Sequence, residues 1–499
     1  MNGSHAWVAL VLASSVAALP LIAAGTGEIA ELGDPHLSVV PRTAAEAERI
    51  GGVTVPTTDF DEPELFEDRP AGAATRFGYA NAHAFSSSSA NMPFERELDF
   101  KVGNGLFKKL WVSSPASTKA SDGLGPLYNA RSCQRCHLKD GRGHPPANAE
   151  DNAVSLLLRV SVPGPGGAMP HPVYGEQLQD FSVAGVPAEY SLAVDWEEVE
   201  VALSGGEVAS LRKPTWRAEN LGYGPLGEGA MLSPRIAPQM IGLGLLEAIP
   251  AADILAHADP EDADGDGISG RANIAWSTEY DQPMLGRFGL KAGEPTLRSQ
   301  SASAFAGDIG ISSPLKPKGW AECTEAQVVC RNAPHGGEFE IEDHALDVVV
   351  FYSRNLAVPA RRDIDDPVVL AGKRVFYETG CTACHVPKFV THRLEDQLEQ
   401  SFQLIWPYTD LLLHDMGEGL ADNRPELRAN GREWRTPPLW GIGLTEAVSG
   451  HTYFLHDGRA RSLLEAVLWH GGEAQTARDR VVEMPPGDRA ALIRFLESL

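Results

Sequence analysis

Hydrophobic positions along this chain alternate in one region and recur at helical spacing in several others. In 154–162 the run Val-Ser-Leu-Leu-Leu-Arg-Val-Ser-Val reads as a strand, and Val194, Trp196, Val199, Val201 and Leu203 continue the alternation. That second run meets Gly205-Gly206 and resumes at Val208, which predicts a β-hairpin. Helical spacing predicts helices over 240–248, 342–355, 368–378, 462–469 and 486–499. The last would bury Leu492, Ile493, Phe495 and Leu496. Residues 25–75, rich in Asp, Glu, Pro, Gly and Ala, read as an extended lead-in. Segment 358–367, with Pro359 and Pro367, reads as a linker.

The 499 residues exceed what one hydrophobic core usually holds, so at least two domains are expected. A formal charge of −25 would repel nucleic acid and anionic membrane, and excludes a nucleic-acid-binding role. The first cationic side chain is Arg42, and 6–24 is almost wholly apolar, ending in Ile22, Ala23, Ala24 and Gly25. We expect an export signal cleaved near Ala24, so that 1–24 is a signal peptide and the product is periplasmic or otherwise exported. An uncleaved N-terminal anchor is the alternative, as the segment approaches a membrane span in length. No other stretch is apolar enough to cross a bilayer.

Six cysteines fall into three close pairs. Two pairs run directly into histidine: Cys133-Gln-Arg-Cys136-His137 and Cys381-Thr-Ala-Cys384-His385. Cys-x-x-Cys-His is the attachment signature of c-type haem: two thiols on one turn each bond a vinyl group of one porphyrin, and the adjacent imidazole becomes the proximal iron ligand. A zinc or redox pair is the rival. Two full copies behind an export signal favour two covalently bound haems c. Cys323 and Cys330 have no following histidine, and a disulfide is the expected state in an oxidising compartment.

Further stretches carry a resemblance. They include Asp122-Gly-Leu-Gly-Pro-Leu-Tyr-Asn-Ala130, Asp140-Gly-Arg-Gly143, Val173-Tyr-Gly-Glu-Gln-Leu-Gln179, Gly242-Leu-Gly-Leu-Leu-Glu-Ala-Ile-Pro250 and Asp266-Gly-Ile-Ser-Gly-Arg271. The C-terminal half adds Leu411-Leu-Leu-His-Asp-Met-Gly417, Arg435-Thr-Pro-Pro-Leu-Trp-Gly441, Leu455-His-Asp-Gly-Arg-Ala-Arg461 and Leu468-Trp-His-Gly-Gly-Glu-Ala474. Together they resemble the dihaem oxidoreductases, a peroxidase-like family also called thiol oxidoreductases, over roughly residues 70–499. That family is distantly related to the bacterial dihaem cytochrome c peroxidases. The resemblance implies a mainly α fold of two cytochrome c-like haem domains, 76–357 and 368–499, the first enlarged by loops and the β-hairpin.

It also implies roles. The stretch Thr452-Tyr-Phe-Leu-His456-Asp-Gly458 points to His470 as sixth ligand of the second haem, giving a His385/His470 centre that relays electrons. Met484, His414 and Met416 are rivals, and His456-Asp457 suits a haem propionate better than the iron. The first haem is the implied reaction centre, with His137 proximal and Arg235, Gln239 and Glu247 in the order of the family's arginine, glutamine and glutamate. Glu247 lies in an apolar run and is expected to have a raised pKa suited to acid–base work, with Gln239 as orienter. The rival for Glu247 is a helix-end carboxylate bonding backbone or a buried arginine. His144 and His171 are alternative sixth ligands. Asp262, Asp264 and Asp266 resemble the first half of a calcium loop, with Ser269 and Asn273 as added oxygens, and a solvated acidic turn is the alternative. Trp216 and Trp276 are candidate relays between the haems. The expected reaction partners are a small oxidant, peroxide or dioxygen, and an electron donor or acceptor such as a small redox protein. A non-catalytic electron carrier and a haem oxygenase or protein-modifying oxidase are the rival classes. A thiol substrate is suggested by the family's older name alone.

Overall fold

The computed structural model describes residues 32–148, 151, 154–165 and 167–499. The segment 6–24, expected as an export signal, lies outside the described residues. The stretch expected to run extended contains helix α1, Ala44–Thr54, started by a capping box. There the Thr43 hydroxyl accepts from the Glu46 amide, and the Glu46 carboxylate accepts from the Thr43 amide. Just before it, Val39 and Val40 pair antiparallel with Leu394 and Arg393. Asp34 is gripped by Arg287 and His392. The lead-in is therefore a strap across the C-terminal half.

Helix α2 spans Glu97–Lys108, and α3 is a single turn over Cys133–Cys136. Strand β1, Leu156–Gly164, follows the expected alternation. Strands β2, Ser191–Ala202, and β3, Val208–Glu219, form the hairpin, with Ala202 opposite Val208 and Ser191 opposite Glu219. Strand β4, Met231–Ile236, returns to pair with β1, which is also joined by Gly167–Met169 and Gln177–Leu178. Helix α4 is only Leu243–Glu247, because left-handed Gly242 precedes it and Pro250 soon follows. Helix α5, Leu297–Ala304, runs into a π-turn over Phe305–Ile309, and α6 is Asp343–Arg354. Helix α7, Pro367–Thr379, opens the C-terminal half, where strands β5, Leu413–Asp415, and β6, Glu433–Arg435, pair. Helices α8, Leu463–Leu468, and α9, Pro486–Ser498, close it.

The hairpin does not stay with its own half. Leu203 and Leu211 pack with Leu468, the Arg212 amide donates to Glu465, and Trp216 Nε1 donates to Asp457 at 3.2 Å.

Each Cys-x-x-Cys-His segment is preceded by a helix crossed by a later one: α2 by α6, and α7 by α9. Both crossings sit on a glycine. A Cβ at Gly103 would lie 2.6 Å from Tyr352 Cβ, and one at Gly372 would lie 2.8 Å from Phe495 Cβ. One turn further on, Phe107 meets Tyr352 and Phe376 meets Phe495, each with ring centroids 5.2 Å apart. The shared architecture of the halves thus extends beyond the motifs themselves.

The expectation of a mainly α, cytochrome c-like fold is overturned. The chain is 29% helix and 19% strand, with many small sheets. Fifty glycines and 36 prolines divide it into short segments, and several run as two- or three-residue strands rather than helices. Cys323 and Cys330 lie within disulfide-bonding distance, with Cα atoms 6.2 Å apart. Among the described residues no helix is long and apolar enough to cross a membrane.

Candidate haem site

The single turn of α3 places Cys133 and Cys136 on one side, and His137 follows with its Nδ1 2.7 Å from the Pro238 carbonyl oxygen. The second motif begins at Gly380, which ends α7 in the left-handed conformation at φ 92°, and His385 Nδ1 lies 2.8 Å from the Tyr408 carbonyl. Phe107 and Phe376, from the helices before each motif, stand with ring centroids 6.2 Å from His137 and His385 respectively. Burial lowers both imidazole pKa values to about 4, against the opposing effect of those carbonyl contacts, so both rings stay neutral near pH 7. With Nδ1 held by a carbonyl, Nε2 is the nitrogen left for a metal. Burial also pushes the Cys133 and Cys381 thiols up to about 12, the opposite of a reactive redox pair.

All six motif residues line one continuous cavity of about 910 Å³. His470 lines it too, just beyond α8, with Nδ1 2.8 Å from the Ala466 carbonyl and its pKa lowered by burial. It therefore has the same arrangement as the two motif histidines. Met416 also reaches the wall, whereas Met484 does not. His414 lines the cavity with both nitrogens engaged, Nε2 to Asp410 at 2.8 Å and Nδ1 to Glu473 at 2.7 Å. Burial works against its charge, yet Asp410 outweighs it and raises the pKa well above the usual imidazole value, and carboxylates occupy both ring nitrogens.

Arg235 and Gln239 also line the cavity. Arg235 pairs with Glu426 at 2.7 Å, while Gln239 donates to the Trp440 carbonyl and leaves its Oε1 buried without a hydrogen bond. Glu247 stands apart from them. It is fully buried away from the cavity, accepting from Arg354 Nε and the Leu297 amide at 2.8 Å each. Burial raises its pKa, but Arg354 and His36 prevail and the net shift is downward. The expected raised pKa is thus corrected: an arginine from α6, invisible in the local apolar run, holds the carboxylate ionised.

Neither His144 nor His171 reaches the cavity wall. His144 Nδ1 sits against the Pro145 carbonyl, while His171 has Nε2 on Leu226 O and Nδ1 accepting from the Val173 and Tyr174 amides. The acidic loop brings oxygens of Asp259, Asp262 and Asp264 within 4.8 Å of one another; Asp266 is not in that group. Ser269 donates to Glu473, and buried Asn273 donates to Lys291 O, so neither adds to the loop. Trp276 is exposed and Trp216 belongs to the hairpin contact, and neither lines the cavity.

No curated protein sequence matches the chain. Among solved structures, hydrazine synthase of Kuenenia stuttgartiensis is similar at 19% identity and a TM-score of 0.22. The match covers 36% of this chain and 63% of that one, so this chain spans less than two thirds of its length. The family described as "Di-haem oxidoreductase, putative peroxidase" matches residues 67–499. The chain belongs to that family.

For a di-haem oxidoreductase the cavity has the right chemistry. Haem brings carboxylates, and the wall holds cations without carboxylate partners among the described residues. Arg142 and Arg435 both line it, bond only backbone carbonyls, and have pKa values pulled down to about 10 by burial. Arg142 Nε and His456 Nε2 are buried without a hydrogen bond. The two guanidinium groups, without carboxylate partners among the described residues, fit propionate groups.

Sequence reasoning passed over three wall features of this di-haem oxidoreductase. Arg142, six residues after Cys136, is one. Trp434, stacked on His456 with centroids 3.8 Å apart, is another, and it lines the cavity where Trp216 and Trp276 do not. The third is Asp308, which carried no motif that could have marked it.

Proposed function

We propose that this di-haem oxidoreductase is an exported c-type protein that reduces peroxide at one haem and relays electrons through the other. Thioether bonds to Cys133 and Cys136, and to Cys381 and Cys384, would hold the haems, with His137 and His385 as proximal ligands. The carrying observation is the single cavity shared by both motifs and His470. One space reached by both attachment turns suits electron exchange between two cofactors.

His470 shares the cavity wall with His385 and, with Nδ1 on the Ala466 carbonyl, offers Nε2, which supports a six-coordinate relay centre. On the first side, His144 and His171 are held elsewhere, which favours an open position and an enzyme over a pure carrier. When bound, the first haem would supply a Lewis-acidic, redox-active metal. The chain's own tasks are then to orient a small oxidant and to manage protons. Gln239, with its free buried Oε1, is placed to accept a hydrogen bond from such a molecule.

Mass analysis of the matured protein should show two haem additions that survive acid–acetone extraction, each lost in the corresponding Cys→Ser pair variant. Ferric EPR should show one low-spin and one high-spin centre, and His470→Ala should alter the low-spin signal alone. A product without covalent haem, or two low-spin signals indifferent to peroxide, would end this reading.

A further inference from the structure

We propose that Asp308 is the proton-transferring group of the first haem's pocket and, with peroxide as substrate, carries one proton between its two oxygens. The proposal rests on the peroxidase reading above for its substrate, and on the structure for the residue.

Asp308 sits in the π-turn Phe305–Ile309, a rare backbone form concentrated at functional sites. Its main chain is locked to the first attachment segment. The Asp308 carbonyl accepts from the Asn129 and Ala130 amides at 2.8 and 3.0 Å, four and three residues before Cys133. The turn is also pressed against Gly125, whose amide donates to Ile309 O, and left-handed Gly310 has no room there for a side chain. The carboxylate lines the cavity. Its Oδ1 accepts from Gln177 Nε2 at 2.8 Å, an amide that also donates to Asn129 Oδ1, and Oδ2 has no hydrogen bond among the described residues. One oxygen is therefore anchored while the other has no protein partner among the described residues.

The other cavity carboxylates are committed elsewhere. Glu426 is gripped by Arg235 and Arg424, Glu473 by His414, and Glu176 by Arg159. Glu294 accepts from Ser303, and exposed Asp266 from the Ile268 amide. Of these wall carboxylates, Asp308 is the one whose main chain bonds the segment leading into Cys133. Burial raises its pKa above the ordinary aspartate value, with Gln177 and Arg159 pulling the other way. The charged groups around it are Arg159 on β1, Glu426, Glu322 and Glu176 about that arginine, and Asp180 beyond Asn129. A carboxyl with one oxygen anchored and its pKa raised by burial is suited to taking up a proton and releasing it again.

The balance is simple. Hydrogen peroxide, two protons and two electrons become two waters as the O–O bond breaks. The electrons come from an external one-electron donor through the relay centre. Asp308 removes the proton from one peroxide oxygen and delivers it to the other, which leaves as the first water. The two protons of the overall balance enter from solvent.

The test uses matured dihaem protein, wild type against Asp308→Asn and Asp308→Glu, with hydrogen peroxide as probe. Haem content should be equal in all three. The wild-type ferric spectrum of the first haem should titrate with a midpoint above about 4, the ordinary aspartate value. That transition should vanish in Asp308→Asn and return at a shifted midpoint in Asp308→Glu. The rate constant with peroxide should fall about 100-fold or more in Asp308→Asn and recover in part in Asp308→Glu. An Asp308→Asn protein that titrates and reacts like wild type overturns the proposal. Wild type that leaves peroxide unreduced, with a transition still lost in Asp308→Asn, removes the peroxidase reading while Asp308 stays the pocket's proton group.

Discussion

Burial works to raise the pKa of both Glu247 and Asp308, yet their net shifts run in opposite directions. The difference lies in what each meets. Arg354 closes on Glu247 at 2.8 Å, whereas Asp308 has an amide as its nearest donor and Arg159 only at longer range. Arg354 lies 107 residues from Glu247, so a reading confined to neighbours in sequence could see only the apolar run. The motif cysteines and histidines were legible because their chemistry is local, within five residues. The lowered pKa of Glu247 has a consequence for acid stability. The carboxylate is ionised in both states above its unfolded value near 4.3, and its full contribution is present there. As pH falls through the lower native value that contribution is lost. Glu247→Gln leaves Arg354 facing a neutral partner, and we expect about 3 kcal/mol of destabilisation at pH 7. The loss should shrink towards pH 3 in denaturant titrations, while peroxide turnover per haem stays near wild type.

At the scale of elements, the hairpin was readable almost to its ends, because alternation and a Gly-Gly turn are short-range signals. The two crossed helix pairs were not. Their defining contacts join residues far apart in the chain, and nothing at Gly103 or Gly372 announces the helix that presses on it. Those glycines give a direct prediction. Gly372→Ala would drive a methyl into the Ala491 carbonyl and Phe495, and Gly103→Ala would strike Val348 and Tyr352. Each should lower stability by about 1–3 kcal/mol in thermal melts of the haem-loaded protein. Gly51→Ala, on α1 with open space around it, should leave stability unchanged or raise it by about 0.5–1 kcal/mol.

At the scale of the whole molecule, a strongly acidic chain holds a cavity whose wall is rich in arginine. A net −25 sets up a long-range field that acts on partners before contact. Raising ionic strength from 0.01 to 0.15 M shortens the screening length from about 30 to about 8 Å. With a basic one-electron donor, stopped-flow reduction should slow about tenfold or more over that range, and a neutral donor should show little change. The single shared cavity was not legible either, since β2 and β3 and the N-terminal strap all cross between halves that the sequence presents as separate.

That strap also bears on how the polypeptide is completed. Asp34 has partners at Ala251 and Arg287, but the other seats of residues 34–40, at His392, Arg393 and Leu394, follow Cys381, Cys384 and His385 in the chain. The clasp therefore cannot shut fully on any length of chain that lacks the second attachment turn. Until 392–394 is in place the N-terminal segment stays half-latched, so the strap is a late closure that ties the beginning of the fold to its second half.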